Sequence, residues 1–419
     1  MIKRTLFNEL KTHLEKKEIS FIVGPRQAGK TTLMLMLKDY LLKRGENIVF
    51  LNLDIEMDKV FFSSQEKLMG KIQLEIGKKQ GYVFIDEIQR KSDAGIFLKG
   101  IYDQNLPYKL IVSGSGSVEL KEQIYESLVG RKRVFELSTI TFDEFVSFKT
   151  DYRYEGRLEE FYLIEKQKTK NLLEEYLVFG GYPRVVLEET MEEKAKLMDE
   201  IYQSYLEKDL SYLLRVQKTE SFFNLVKLIA AQTGRLINYS ELSNTLGLAI
   251  KTLKTYLWYM EKTFILNRVN PFFSNKRKEI TKSPIYYFYD LGLKNYTVNS
   301  FRNIEGLTDI GFQFQNFVFN ILKEKIKKSS VIINFWRTKE KAEVDFVINS
   351  GRGVIPVEVK YRKLEKPEIQ RSMQSFIKKY QPKKAFIVNL EMKKKVIRDK
   401  TEIYFMPFYE ISKVADLIN

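Results

Sequence analysis

Three observations predict an α/β chain. Short apolar runs recur in the first third and end in polar residues at Asp54, Asp86-Glu87 and Ser113. A glycine-rich turn joins the first of these runs to a helical pattern. Beyond Thr141 the apolar spacing lengthens to that of helices, and the C-terminal quarter returns to strand-like alternation. The parts fall at residues 1–140, a parallel-sheet domain; 141–220, a helical lid or connector; 221–300, a compact helical unit with a hairpin; and 301–419, a second α/β domain.

The first run, Ile19 to Val23, leads into Gly24-Pro25-Arg26-Gln27-Ala28-Gly29-Lys30-Thr31-Thr32 and then a helix through Leu33, Leu37 and Leu41. Gly-x-x-x-x-Gly-Lys-Thr between a strand and a helix is the P-loop pattern, in which stacked backbone N–H groups wrap nucleotide phosphates. Gly24 and Gly29 supply backbone shapes that a Cβ would obstruct. Lys30 is expected to bring charge to the β- and γ-phosphates of ATP, and the Thr31 hydroxyl to reach Mg²⁺.

The strands Ile48–Leu53, Tyr82–Ile85, Lys109–Val112 and Arg133–Leu137 follow. Fully apolar runs separated by helical segments indicate a parallel sheet covered on both faces, with ligands at the carboxyl ends of the strands. Asp86, at the end of Tyr82-Val-Phe-Ile, is expected to hold Mg²⁺ through its water shell, and Glu87 to orient and deprotonate the attacking water. Ser113 and Ser115 are candidates to sense the γ-phosphate or place that water. Arg131, in Leu128-Val-Gly-Arg-Lys-Arg133, is a candidate to stabilise the transferring phosphoryl group, in its own subunit or a neighbouring one.

Composition bounds the function classes. The 419 residues are 44% hydrophobic and 13% aromatic, enough for several cores. There is no cysteine, which excludes disulfides and thiolate metal sites and is compatible with a cytoplasmic protein. The single histidine, His13, reads as an exposed residue of a polar helix, neither ligand nor base. No apolar run approaches the ~18 residues of a membrane span, and no apolar signal core follows Met1. A net charge of +16 favours polyanionic partners, nucleic acid before an anionic membrane surface.

In the middle, helices are expected over Thr139–Phe145, through the charged stretch to Lys170, over Leu172–Leu177, and again from Met191, with a break at Gly180-Gly181-Tyr-Pro183. Three more cover Phe222–Ala231, Tyr239–Leu246 and Ala249–Glu261. The second and third, joined at Gly247, have helix-turn-helix spacing. The third buries Leu253, Leu257 and Met260 and presents Lys251, Lys254 and Trp258 on its other face, a candidate DNA-contact surface. Phe264–Val269 and Ile285–Tyr289, joined through Asn275-Lys-Arg-Lys278, are the expected wing.

In the tail, Gly311–Leu322 reads as an amphipathic helix, Val331–Trp336 as a strand, and Ala342–Ile348 with Val354–Lys360 as a hairpin. Alternation puts Glu343 and Asp345 on one face, and Glu358 and Lys360 on one face. Asp345, Glu358 and Lys360 reproduce an Asp…Glu-x-Lys core in which two carboxylates bind Mg²⁺ and the lysine supports the attacking water.

Over nearly its whole length the chain resembles the prokaryotic AAA-superfamily P-loop ATPases, abundant in archaea, that carry a C-terminal restriction-endonuclease-like domain. The resemblance rests on residues 24–32, Phe84–Gln89, Ser113–Ser115, Leu128–Arg131, Gly180–Pro183, Tyr205–Leu210, Tyr289–Leu293, Trp336-Arg337, Glu343–Asp345 and Glu358–Lys360. It implies ATP binding, Mg²⁺-dependent hydrolysis and a winged-helix middle. One departure stands out: Gln315 occupies the place where the family usually carries Glu in Gly-x-x-x-Glu-Asn, which removes an anionic metal ligand. The expected function is an ATPase that remodels nucleic acid or a partner. The alternatives are an ATP-regulated DNA nuclease and a nucleotide-dependent protein switch. The expected partners are ATP, DNA and further copies of the chain, with no membrane.

Overall fold

The computed structural model describes residues 1–115, 126–204, 219–273, 282–301, 309–326, 331–351 and 353–416. The wing connection Asn275–Lys278, the stretch Tyr205–Leu210 and the Ser115 side chain lie outside the described residues.

The chain divides into two compact units. The first comprises Met1–Phe148, Tyr182–Leu187 and Trp258–Ile265; the second comprises Lys149–Gly181, Glu188–Leu257 and Leu266–Asn419. The unit boundaries cut through the expected segments 141–220 and 221–300, parts of which belong to the first unit.

The first unit is an α/β domain on a five-stranded parallel sheet. Its strands are β1 (Ile19–Gly24), β2 (Ile48–Asn52), β3 (Gly81–Asp86), β4 (Tyr108–Ser115) and β5 (Lys132–Glu136), in the order β2-β3-β4-β1-β5. The strands β1 and β3 are buried along their full length, as continuous apolar runs require in a sheet covered on both faces. On one face, Leu6 and Leu10 of helix α1 (Leu6–His13) and Leu33, Met34, Leu37 and Leu41 of helix α2 (Lys30–Leu42) pack on Ile22, Phe84, Ile111 and Phe135. Pairing of Ile22 with Ser113 and of Asn52 with Asp86 brings the polar strand ends together at one rim. This is the P-loop NTPase sheet.

His13 departs from expectation. It is 5% exposed, its Nδ1 lies 2.8 Å from Ser20 Oγ and 3.2 Å from Lys109 Nζ, and its ring meets Phe135 edge-on. Leu6, Leu10 and His13 fall at i, i+4 and i+7, so His13 continues the inward stripe of α1. Burial first, and the Lys109 charge second, depress its pKa to about 4. Lys109 donates to the carbonyls of Lys16 and Glu18 at the amino rim of the sheet, and burial lowers its pKa to about 8.

The second unit begins with the helices Leu158–Ile164 and Lys166–Phe179. The first of the expected connector helices lies at Phe142–Lys149 instead, and residues 150–156 are turns. Gly180 ends the second helix with φ +70°, and a Cβ there would stand 2.3 Å from Asp290 Oδ1. Asp290 accepts from Gly181 N at 2.8 Å and from Leu293 N at 3.0 Å, capping the helix Leu291–Thr297. Asn295 Nδ2 and Gln313 Nε2 reach the carbonyls of Leu177 and Val178. The sequence motifs at Gly180-Gly181 and Asp290-Leu-Gly292 are thus two halves of one helix-end clasp.

The helices Thr219–Ala231 and Tyr239–Leu246 follow, with Gly247 closing the second at φ +60°, and then the helix Ile250–Lys262, whose residues from Trp258 on count with the first unit. Strands β6 (Leu266–Val269) and β7 (Ile285–Phe288) form an antiparallel ribbon, to which Leu236 adds a bridge. The tail sheet runs β12-β13-β11-β10-β9-β8, from β8 (Ile332–Arg337), β9 (Glu343–Asn349), β10 (Val354–Val359), β11 (Lys384–Asn389), β12 (Lys394–Arg398) and β13 (Thr401–Pro407). The helices Ile310–Ile326 and Arg371–Tyr380 complete it.

Ribbon and tail are joined rather than separated near residue 300. Asn316 exchanges two hydrogen bonds of 2.8 Å with the backbone of Phe288, extending the edge of β7 as a further strand residue would. Tyr287 stacks on Phe319 at 4.8 Å, and Phe272 N bonds to Phe335 O.

Candidate nucleotide site and tail carboxylate site

The P-loop is held open by backbone geometry. Leu137 N donates to Val23 O at 2.8 Å, so the chain beyond β5 runs against Gly24, where a Cβ would stand 2.1 Å from Leu137 O. Gly29 has φ +93° at the start of α2, with nothing nearer to a built Cβ than Pro183 Cγ at 3.8 Å. It is needed for its dihedral, not for space.

Under the loop lies a group without any local sequence signature. Arg4 is 8% exposed; it donates to Ala28 O at 2.9 Å, to Ser138 O at 2.7 Å and, through Nε, to Glu144 Oε2 at 3.1 Å. Glu144 Oε1 accepts from Thr5 N at 2.6 Å. The loop's underside is therefore bolted to the first residues of the chain and to the helix Phe142–Lys149.

Lys30 is 4% exposed and donates to Gly24 O at 3.2 Å and Pro25 O at 2.8 Å. Burial pulls its pKa down to about 8, against the opposing pull of Glu87 and Asp86. Gln27 has φ +56° and a buried Oε1 with no hydrogen-bond partner. Arg26 is half-buried and Thr32 exposed at the first turn of α2.

Asp86 is fully buried and accepts from three donors: Thr31 Oγ1 at 2.6 Å, Glu87 N at 3.1 Å, and Ser113 Oγ. Ser113 is thus a direct partner of Asp86, and Glu87 N also reaches Ser113 Oγ at 3.4 Å. Glu87 itself sits in the left-handed region (φ +58°, ψ +39°), a costly conformation for a side chain that concentrates at functional sites. This conformation turns Glu87 out of the strand line, and its Oε2 accepts from Gln89 Nε2. Gln89 belongs to the Phe84–Gln89 stretch, and its contact with Glu87 emerges only in the structure.

The groups fit Mg²⁺ and a nucleotide. The Thr31 hydroxyl and Asp86 carboxylate, 2.6 Å apart, are two hard oxygen donors at the mouth of a loop whose Gln27 carries an unsatisfied buried oxygen. Thr31 and Asp86 would hold the metal and its water shell; the loop amides and Lys30 would hold the phosphates.

Arg131 is not brought to this site. It precedes β5, and its carbonyl accepts from Ile19 N at the amino end of β1. Nucleotide-site residues lie at the carboxyl ends of the same parallel strands. There Arg131 forms a two-point pair with Asp103, at 2.6 and 3.2 Å. The reading in which Arg131 completes its own subunit's site is therefore corrected; the strand direction forbids it.

In the tail, Asp345 and Glu358 come together across the paired strands β9 and β10. Asp345 accepts from Gln315 Nε2 at 2.6 Å and from Val359 N at 2.7 Å, and Glu358 pairs with Lys360 at 2.7 Å. Burial, then the neighbouring Glu358, raise the Asp345 pKa to about 7. Glu343 turns to Arg337 at 3.2 Å. Glu358 Oε2, Gln315 Oε1 and Tyr287 Oη are buried without partners. Tyr287 arrives from β7, and only the three-dimensional pairing of ribbon and tail reveals it. Among the described residues no three His, Cys, Asp or Glu side chains are grouped to hold a metal. Among the described residues the site offers the carboxylates of Asp345 and Glu358, the Gln315 amide oxygen and Tyr287 Oη.

Lys251 and Lys254 are exposed on the helix Ile250–Lys262, and Lys254 Nζ lies 5.1 Å from the Tyr239 ring. Leu253, Leu257 and Met260 are buried as expected. No helix among the described residues is long and apolar enough to cross a membrane.

Three family comparisons match successive stretches. Residues 170–303 match a domain of unknown function (DUF8612), and residues 310–410 match another (DUF4143). An uncharacterized protein of Mycobacterium tuberculosis is 25% identical over 377 residues, covering 89% of this chain and 76% of its own. One of Methanocaldococcus jannaschii is 23% identical over 397 residues, covering 93% and 85%. Among solved structures, the replication initiator DnaA bound to AMPPCP and single-stranded DNA shows 17% identity over 62% of this chain and 88% of its own, with a TM-score of 0.31. Residues 16–146 match the AAA domain, and with the loop and sheet described above they form an AAA-type P-loop ATPase domain.

Proposed function

We propose that the protein hydrolyses ATP with Mg²⁺ and couples the cycle to remodelling of nucleic acid or of a bound partner. The observation that carries this reading is the Thr31–Asp86–Ser113 hydrogen-bond chain with Glu87 held outward beside it. Lys30 has a resting place on two loop carbonyls, from which a phosphate anion would draw it. Bound Mg²⁺ supplies charge neutralisation between the phosphates. Glu87, steadied by Gln89, takes a proton from the attacking water; Ser113 keeps the Asp86 carboxylate aimed at the Thr31 hydroxyl. The exposed Lys251 and Lys254 are the candidate DNA contacts of a winged-helix-like module.

The test is phosphate release. Glu87→Gln should lose turnover while still binding ATP, and Lys30→Ala should lose binding; equal rates for wild type and Glu87→Gln overturn the role of Glu87.

A specific observation favours a second activity in the tail. The order helix, β8, β9, β10, helix, β11 supports a restriction-endonuclease-like core, and the unsatisfied oxygens of Glu358 and Gln315 beside Asp345 suit a hard divalent cation. Gln315 supplies an amide in place of a charge, so metal should bind more weakly than to three carboxylates. Nicking of DNA with Mn²⁺ or Mg²⁺ that vanishes in Asp345→Ala supports an ATP-regulated nuclease. No cleavage leaves the tail as a binding module.

A further inference from the structure

One neighbour of the tail site comes from outside the tail. Gly234, on the turn between the helices Thr219–Ala231 and Tyr239–Leu246, has φ +76° and donates to Tyr286 O at 3.2 Å. A Cβ built on it would stand 2.8 Å from Gln315 Oε1, 2.8 Å from Phe312 Cδ1 and 3.5 Å from Tyr287 Cε1. The backbone of this turn therefore lies directly against the amide that binds Asp345. The next residue, Arg235, is exposed and carries its guanidinium 4.9 Å from the centroid of the half-buried Phe312 ring. Phe312 precedes Gln315 by about one helical turn, ~5 Å along the axis. A cation thus stands over a ring one turn from Gln315, the amide that donates to Asp345, and the turn that carries it packs against Gln315 Oε1, a buried oxygen without a partner.

We propose that Arg235 binds a backbone phosphate of a nucleic-acid strand that passes the tail carboxylates, with Phe312 fixing the guanidinium. The inference rests on the reading of Asp345 and Glu358 as a nucleic-acid site. A small free anion is disfavoured there, since Asp345 and Glu358 repel it. A phosphodiester chain places one phosphate on Arg235 and another near Lys360, so that neither rests on the carboxylates. Arg suits the task because its planar fork binds phosphate in two-point geometry while its face stacks on an aromatic ring.

The experiment measures anisotropy of a fluorescein-labelled single-stranded oligonucleotide and of its duplex against the full chain, without divalent metal, across roughly 50 to 200 mM salt. Arg235→Ala should weaken binding about fivefold to tenfold and lower the salt slope by about 1, and Arg235→Lys should fall between it and wild type. Lys166→Ala, an exposed lysine on another helix, should stay within about twofold of wild type. Asp345→Asn, which removes an ionisable carboxyl from the strand's path, should tighten binding. Arg235→Ala indistinguishable from wild type or from Lys166→Ala, with Asp345→Asn tightening, overturns the role of Arg235 alone. A silent Asp345→Asn overturns the strand's placement at the tail, and this inference with it.

Discussion

Arg4 and Glu144 meet as a buried ion pair, Nε to Oε2 at 3.1 Å, although 140 positions separate them in the chain. The same guanidinium holds Ala28 O, so the pair ties P-loop geometry to the closure of the first unit. Removing one partner leaves the other charge buried and uncompensated. Arg4→Ala should therefore cost about 3–5 kcal/mol of stability, read as a lower denaturant midpoint, and should weaken ATP binding as well.

Gln89 makes a separable prediction. Because Gln89 donates to the Glu87 carboxylate, Gln89→Ala should lower kcat by about tenfold, ~1.4 kcal/mol of barrier, with ATP affinity unchanged. A matching loss of affinity in a direct binding titration would count against a positioning role.

Arg131 should be dispensable for nucleotide binding by its own chain, since its guanidinium is engaged with Asp103 at the far rim of the sheet. Arg131→Ala is expected to leave the Kd for ATP within about twofold. A turnover loss that appears only as protein concentration rises would assign it to a neighbouring subunit.

His13 gives the first unit a pH dependence. Its ordinary value of 6.5 falls to about 4 on folding, so between these limits the unfolded chain binds more protons. Stability is full above pH 6.5 and declines as pH falls toward 4, by about 2 kcal/mol between pH 7 and 5. Glu18 acts in the opposite sense, and Lys109, Arg133 and Lys16 reinforce the shift. Urea midpoints across this range should show the decline, and His13→Gln should flatten it.

Gly234→Ala should be costly out of proportion to one methyl group. The φ of +76° strains any side chain, and the new Cβ would press on Gln315. A loss of more than ~1 kcal/mol is expected, together with weaker Mn²⁺ binding in an isothermal titration, if Gln315 is part of the metal site.

The contrast among these residues shows what the sequence exposes. The P-loop, Asp86, Glu87 and Ser113 were legible because each sits at the end of an apolar run, where a parallel sheet must place ligands. Asp345, Glu358 and Lys360 were legible because strand alternation is local. Arg4, Gly234 and Tyr287 were not, because their partners lie on other elements and nothing in their neighbourhood marks the contact. The own-subunit reading of Arg131 and the exposed reading of His13 were misjudged although the signals existed. Arg131 precedes its strand and so belongs to the opposite rim, and His13 continues the stripe of Leu6 and Leu10.

The first unit is assembled from three separated stretches, the last of them ending at Ile265. On the ribosome, then, the P-loop strands emerge long before the unit that contains them can close. At synthesis rates of ~5–20 residues per second, several seconds or more pass between the two events. Tyr182–Leu187 and Trp258–Ile265 reach the nascent nucleotide domain last. A chain cut after Phe148 keeps every nucleotide-site residue from Gly24 to Ser113 and still lacks part of the body that shelters them.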